Sequence, residues 1–233
     1  MNMGNFKHEP IDLGYTDLVA TTTDTGRTYA CPDNRNYPSI TTVLSILSED
    51  AIREWRARVG EKKAQEIITK ASTRGTSVHK LCEDYINNLE VEESNDVFEQ
   101  IKSKLDKHLG TIYAVEAPLY SSKLRVAGRV DLIAEWKGKL SIIDFKTAKK
   151  TKKEEWIEGY FMQESAYAYM FAERMQWKED FYPNDIITII GVDGKDEAQV
   201  FEKKAKDYLT KFKVLRDAYE LNASKGKTLK QDS

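Results

Sequence analysis

Asp144 lies thirteen positions after Asp131, with the dipeptide Lys137-Gly138 between two apolar runs. No other feature of the chain narrows its folding options as much. The runs, residues 124–136 and 140–145, read as the strands of a β-hairpin whose turn is Lys137-Gly138. With that turn Trp136 faces Lys139 and, counting outward, Asp131 falls opposite Asp144. Directly opposed residues share a face with Cβ atoms ~4.5–5.5 Å apart. Lys146, two positions on, shares it too because strand side chains alternate. Two carboxylates that close repel each other unless a cation sits between them. Val130, Leu132, Ile133, Ile142, Ile143 and Phe145 flank them, so both faces of the hairpin are expected to be buried. Such a pair is costly as structure and sensible as a divalent-metal site. Everything rests on register: Lys-Gly is a weaker turn signal than Asn-Gly, and a one-residue slip would send the two aspartates to opposite faces.

The rest of the chain supplies the frame. Residues 1–38 lack helical periodicity and read as a hairpin or loop extension ending at Pro38. Ser39 or Thr42 is placed to cap a short helix through Leu47, and Ser48 to start the next, through Val59. A long helix is expected over 62–89 and another over 97–109. Strands follow at 112–120, in the hairpin, and at 186–192, with an aromatic-rich helix over 154–177 between the last two. A short strand at 199–201 and an amphipathic helix over 208–221 complete the pattern. The expected architecture is α/β, a mixed central sheet flanked by helices, with a helical N-terminal region. A single domain spans 39–222, helical over 39–110 and carrying the sheet over 111–222, and 223–233 form a flexible tail.

With 233 residues, 40% of them hydrophobic and 32% charged, the chain can bury one good core and has the composition of an ordered globular protein. No apolar stretch approaches the ~20 residues of a membrane span, and the N-terminus has no apolar signal core. Cytoplasmic residence without secretion is expected, in the host cell if the gene belongs to a phage. Cys31 and Cys82 have no metal-ligand spacing. The net charge of −2 does not advertise nucleic acid, but its distribution does. Between Arg53 and Lys80 eight basic residues, Arg53, Arg56 and Arg74 among them, meet three acidic ones. Lys149, Lys150, Lys152 and Lys153 follow the second aspartate. Either run alone fits a solvated face. Flanking a buried acidic pair, both also suit a phosphodiester backbone.

Two helical constellations add to the pair. His79 and Glu83 stand four apart on the long helix, hence on one face, and imidazole is an acceptable ligand for manganese. Tyr160, Gln163 and Tyr167 form one stripe of the aromatic-rich helix. The tyrosines fit ordinary core packing, whereas an amide within an apolar stripe needs partners.

Together, Gly128-Arg129-Val130-Asp131, Ile142-Ile143-Asp144-Phe145-Lys146, Gln163-Glu164-Ser165-Ala166-Tyr167 and the Gly75-to-Glu83 segment around His79 resemble the PD-(D/E)XK nuclease superfamily. The similarity is to its RecB-like branch, which includes mitochondrial genome maintenance and phage-encoded exonucleases, and the segment 37–44 looks like their entry motif. The resemblance covers roughly residues 37–170 and implies a restriction-endonuclease-like core. It implies Asp131 and Asp144 as metal ligands, His79 as an additional one, Lys146 beside the attacking water, and Gln163 and Tyr167 as supporting residues. Glu83 and Glu116 are further candidates. The implied activity is Mg²⁺- or Mn²⁺-dependent deoxyribonuclease, an exonuclease at DNA ends in DNA processing, recombination or degradation. The implied substrate is DNA, single-stranded or with free ends, and a recombination or replication protein is a candidate partner. The cysteines of the iron–sulfur members are missing, so that cofactor is not implied. A structure-specific endonuclease with the same site, or an inactive DNA-binding module, are the alternatives.

Overall fold

The computed structural model describes residues 3–178 and 182–231, with side chains to 224. The expected hairpin forms with the expected register: β5 (Val126–Trp136) and β6 (Lys139–Ala148) are antiparallel, and Trp136 pairs with Lys139. Lys137 and Gly138 both take positive φ, +51° and +75°. That is the backbone of a two-residue hairpin turn whose twist matches the strands. Glycine adopts it freely, whereas Lys137 is held there by the pairing on either side.

β4 (Leu109–Ser121) pairs antiparallel with β5 on its other side. Beyond β6 lie β7 (Asp185–Val192), parallel to it, and β8 (Gln199–Lys204), antiparallel to β7, giving the order β4-β5-β6-β7-β8. This is the mixed sheet expected from the sequence. The parallel step needs a crossover, and α5 (Glu158–Arg174) supplies it. β7 reads as an almost uninterrupted apolar run because helices cover both its faces.

On one face α1 (Ile40–Leu44), α5 and α6 (Ala205–Gln231) bury Ile40, Phe161, Phe171 and Phe212 against Val130, Ile133 and Ile142. On the other, α3 (Glu61–Ile86) and α4 (Asp96–His108) bury Val78, Tyr85 and Phe98 against Leu132, Ile143 and Phe145. Ser39 caps α1, its Oγ accepting from Thr42 N–H at 3.0 Å. α2 (Glu49–Val59) follows at the position expected from Ser48. The last helix, expected over 208–221, is longer: its backbone is helical as far as Gln231, and residues 232–233 lie outside the described part.

The segment expected as a hairpin or loop is a three-stranded antiparallel sheet, β1 (Val19–Thr23), β2 (Gly26–Ala30) and β3 (Asn36–Pro38). Leu18, Tyr29, Cys31 and Tyr37 pack it onto Tyr120 and Ala127 at the ends of β4 and β5. It therefore forms a wall of the cleft described next. Among the described residues no helix is long and apolar enough to cross a membrane.

Candidate active site

Alternation along β4 and β5 breaks at one rung. Val130 and Ile133 join the core under α5, while Leu132, between them, joins the core under α3. On β4, Ala117 faces the first core and Val115 the second, though a strict strand would put both on one face. The interrupted positions are Glu116 on β4 and Asp131 on β5, neighbours across the ladder between the Val115–Leu132 and Ala117–Val130 pairs. Glu116 takes φ +48°. A non-glycine residue in the left-handed region is strained, and such strain concentrates at functional sites.

The same interruption explains where the aspartates meet. The β5–β6 ladder ends at Leu132–Ile143, one rung short of Asp131 and Asp144. Past that rung Asp131 turns its carboxylate across the gap, where Oδ2 accepts from Phe145 N–H at 2.8 Å. Asp144 is 1% exposed and faces α5, Oδ1 accepting from Gln163 Nε2 at 3.1 Å. Its Oδ2 is ion-paired with Lys146 Nζ, which also lies 5.2 Å from the centre of the Tyr160 ring. The sequence count thus holds for the register, but only Asp131 lines the cleft, while Asp144 lies behind Lys146 and Gln163, which do line it.

His79, half-buried on α3, places Nδ1 3.5 Å from Asp131 Oδ2 and its ring edge-on to Phe145. His79, Glu116 and Asp131 each offer a ligand atom, all within 4.8 Å of one another. Among the described residues this is the one such group, and Asp144 stands outside it, engaged by Lys146 and Gln163. Glu83 lines the same cleft, 3.7 Å from Lys80.

The charge on this cluster is poorly compensated. Burial, reinforced by Asp131, pushes the Glu116 carboxyl up to about 7. Burial and the nearby Asp144 push Asp131 up to about 6, against the pull of His79 and Lys146. Burial alone would lower the Lys146 ammonium, but the carboxylates of Asp144 and Asp131 outweigh it and hold the group above its ordinary value. One imidazole and two hard oxygens with excess negative charge suit a divalent cation such as Mg²⁺ or Mn²⁺.

The cleft measures about 520 Å³ and is roofed by the N-terminal sheet through Arg27 and Tyr29 and by α1 through Thr41. Tyr167 closes its floor. A Cβ at Gly128 would lie 2.8 Å from the Tyr167 hydroxyl, which is why the tyrosine can sit there only against a glycine. Burial drives the Tyr167 hydroxyl far above its ordinary range, so it stays protonated.

The basic residues divide. Arg74 is tied to Asp193, beside Gly75 in the cleft wall. Arg53 pairs with Asp50 and Arg56 with Glu61, and both line a larger groove that shares Thr41 with the cleft. Lys149, Lys150 and Lys153 are exposed on the loop after β6. That loop is pinned by Lys152, whose backbone N–H and C=O both bond the Gln199 side chain, at 2.7 and 3.0 Å.

Sequence reading missed Arg27 and Tyr29, whose segment carried no signal for the site. It also missed Glu164, buried beside Gln163 and bonded to Thr188. Spacing offered a clue there, since Tyr160, Gln163, Glu164 and Tyr167 complete one helical face.

A mixed sheet between helices, with acidic residues and a lysine at the parting of two central strands, is the architecture of a metal-dependent nuclease core. The family model of the PD-(D/E)XK nuclease superfamily matches residues 49–226, and the chain belongs to that superfamily. Within it, the chain is similar to mitochondrial genome maintenance exonuclease 1 of Xenopus tropicalis, 29% identical over 133 residues, 51% of this chain and 38% of that protein. The Mus musculus protein of the same name is 28% identical over 135 residues, 52% of this chain and 40% of its own length. The matches thus span about two fifths of these relatives. A solved structure described as "Crystal structure of SSO0001" covers 73% of this chain and 70% of its own at 13% identity and a TM-score of 0.37, too slight a likeness to argue from.

Proposed function

We propose that the protein is a Mg²⁺- or Mn²⁺-dependent deoxyribonuclease that removes nucleotides from DNA ends. The observation that carries this reading is the His79–Glu116–Asp131 cluster, set beside the Asp144–Lys146 ion pair in a cleft of a PD-(D/E)XK superfamily member. The end preference rests on similarity to the maintenance exonucleases, and a recombination or replication protein would supply any unwinding.

Asp131, His79 and Glu116 would hold the ion, with Asp144 as a donor from the neighbouring strand. The chemistry a bound divalent ion supplies is polarisation of the scissile phosphate and acidification of a water. Lys146, fixed by Asp144, orients that water and offsets negative charge developing on the phosphate. Gln163 holds the Asp144 carboxylate, and Tyr167 with Gly128 shapes the floor beneath it. Arg53, Arg56, Arg74 and the lysines at 149, 150, 152 and 153 contact phosphates without reading bases.

Incubating linear and circular DNA with EDTA, Mg²⁺ or Mn²⁺ tests the reading directly. Loss of linear DNA alone, dependent on metal, is expected. Cutting of closed circles would replace the exonuclease with an endonuclease, and no cleavage in either metal would remove the enzymatic reading.

Two further outcomes follow from the site. His79→Ala should weaken Mn²⁺ affinity and rate more gently than loss of an aspartate, with partial recovery at high Mn²⁺, because imidazole contributes no negative charge. Identical half-saturation and rate in mutant and wild type would leave His79 as a packing residue against Phe145.

Neutralising Lys149 and Lys150 should flatten the dependence of log K on log[salt] for a single strand by roughly 1.4, at ~0.7 per phosphate contact. Affinities measured at four salt concentrations check this. An unchanged slope would make the run a solvated loop.

A further inference from the structure

Glu164 has no assigned part in the chemistry above, yet it is wholly buried. Glutamates are almost never fully buried unless paired, and a leucine would fill the space without desolvating a carboxyl. Its hydrogen bonding is sparse. Thr188 Oγ1 donates to Glu164 Oε1, while Oε2 has no hydrogen-bond partner among the described residues.

The position of that bond is informative. Thr188, also wholly buried, lies on β7 directly across from Asp144 on β6. One residue earlier on α5, Gln163 donates to Asp144 itself. Consecutive residues of one helix therefore grip the two halves of a single rung, Gln163 on β6 and Glu164 on β7. Asp144 in turn holds Lys146.

We propose that Glu164 and Thr188 form a positioning lock, which fixes α5 against β7 so that the Gln163 amide meets Asp144 and the Asp144–Lys146 pair keeps its geometry. The lock rests on the reading of Asp144 and Lys146 as site residues. Glu164 acts through Gln163 and Asp144 and does not itself touch substrate. A buried polar pair that only packed the core would have no bearing on rate beyond its effect on folding, and this distinguishes the two roles.

The test uses Glu164→Leu, Thr188→Val, the double variant and Glu164→Gln, each measured for thermal midpoint, Mn²⁺ half-saturation and kcat. Each single apolar replacement should lower the midpoint, because it strands a buried partner. Replacing both partners by apolar groups can be nearly neutral for stability, so the double variant should regain most of it. Its kcat should nonetheless stay about 10- to 100-fold below wild type, since a displacement of roughly 1 Å at a reacting group can cost 10²-fold. Glu164→Gln keeps an acceptor for Thr188 and should keep kcat close to wild type.

A double variant with wild-type kcat would overturn the lock, as would kcat that simply tracks the midpoint across the set. So would a Glu164→Gln loss as large as that of the double, because charge and not the hydrogen bond would then matter. Wild-type protein that fails to cleave DNA overturns the nuclease reading instead. In that event Mn²⁺ titration judges the lock alone, with several-fold weaker binding in the double variant expected and unchanged binding overturning it.

Discussion

Asp131→Asn is expected to abolish metal-dependent cleavage and, in the same protein, to raise stability in EDTA. The first effect follows from charge. An amide at this position removes one of two anionic ligands from the His79–Glu116–Asp131 group. Metal stabilisation worth several kcal/mol corresponds to several decades of rate at ~1.4 kcal/mol per decade. Asp144→Asn should be comparably inactive, since it leaves Lys146 without its anionic partner. DNA binding should persist in both, because the basic residues are untouched.

The second effect follows from linkage. Asp131 is pushed up to about 6 from an ordinary 3.8, chiefly by burial and then by Asp144. A carboxyl raised on folding favours the folded state fully below its unfolded value. That stability is lost as pH rises from about 4 to about 6. Glu116, pushed up to about 7 from 4.5, extends the window upward. Metal-free wild type should therefore lose stability between pH 4 and 7, on the order of 2–3 kcal/mol for Asp131 alone. Asp131→Asn should show a shallower slope and a higher midpoint at pH 7.5, and should gain little from added Mn²⁺. Thermal melts in EDTA across that range check the sign. A mutant no more stable than wild type at pH 7.5 would overturn the linkage argument, and one that still cleaves at near wild-type rate would remove Asp131 from the metal group.

Lys146→Met is expected to be the most destabilising single change at the site. Lys146 is the ion-pair partner of Asp144, whose side chain is 1% exposed, and Asp131 stands nearby. Removing one member of a buried pair leaves an uncompensated charge and costs ~3–5 kcal/mol. The loss should appear in EDTA at pH 7.5 as a lower denaturant midpoint at unchanged slope. Adding Asp144→Leu should return much of it, since apolar replacement of both partners is often neutral or better. Neither variant should cleave DNA. A Lys146→Met protein as stable as wild type would mean that water, and not Lys146, compensates Asp144.

How far the sequence reaches is clearest at these same residues. Alternation and the Lys137-Gly138 turn determined the hairpin, because a two-residue loop with both residues at positive φ leaves one register open to the strands. Apolar runs flanking it determined a sheet covered on both faces, and spacing determined that His79 and Glu83, or Tyr160, Gln163 and Tyr167, share helix faces. These are local periodicities, legible wherever the backbone repeats. The superfamily was legible from the motifs that ride on them.

Three things were decided only in three dimensions. Glu116, already a further candidate in the sequence, joined His79 and Asp131 in the metal-ligand group because alternation breaks on two adjacent strands at once, a fault that no period-2 count reveals. Arg27 and Tyr29 reached the cleft because the N-terminal sheet folds over β4 and β5, a contact between segments roughly a hundred residues apart. Glu164 and Thr188 met because α5 crosses β6 and β7 at the rung of Asp144. Sequence periodicity states which way a side chain points relative to its own strand or helix. What it meets there depends on how the elements are stacked, and that is set by packing of the whole core.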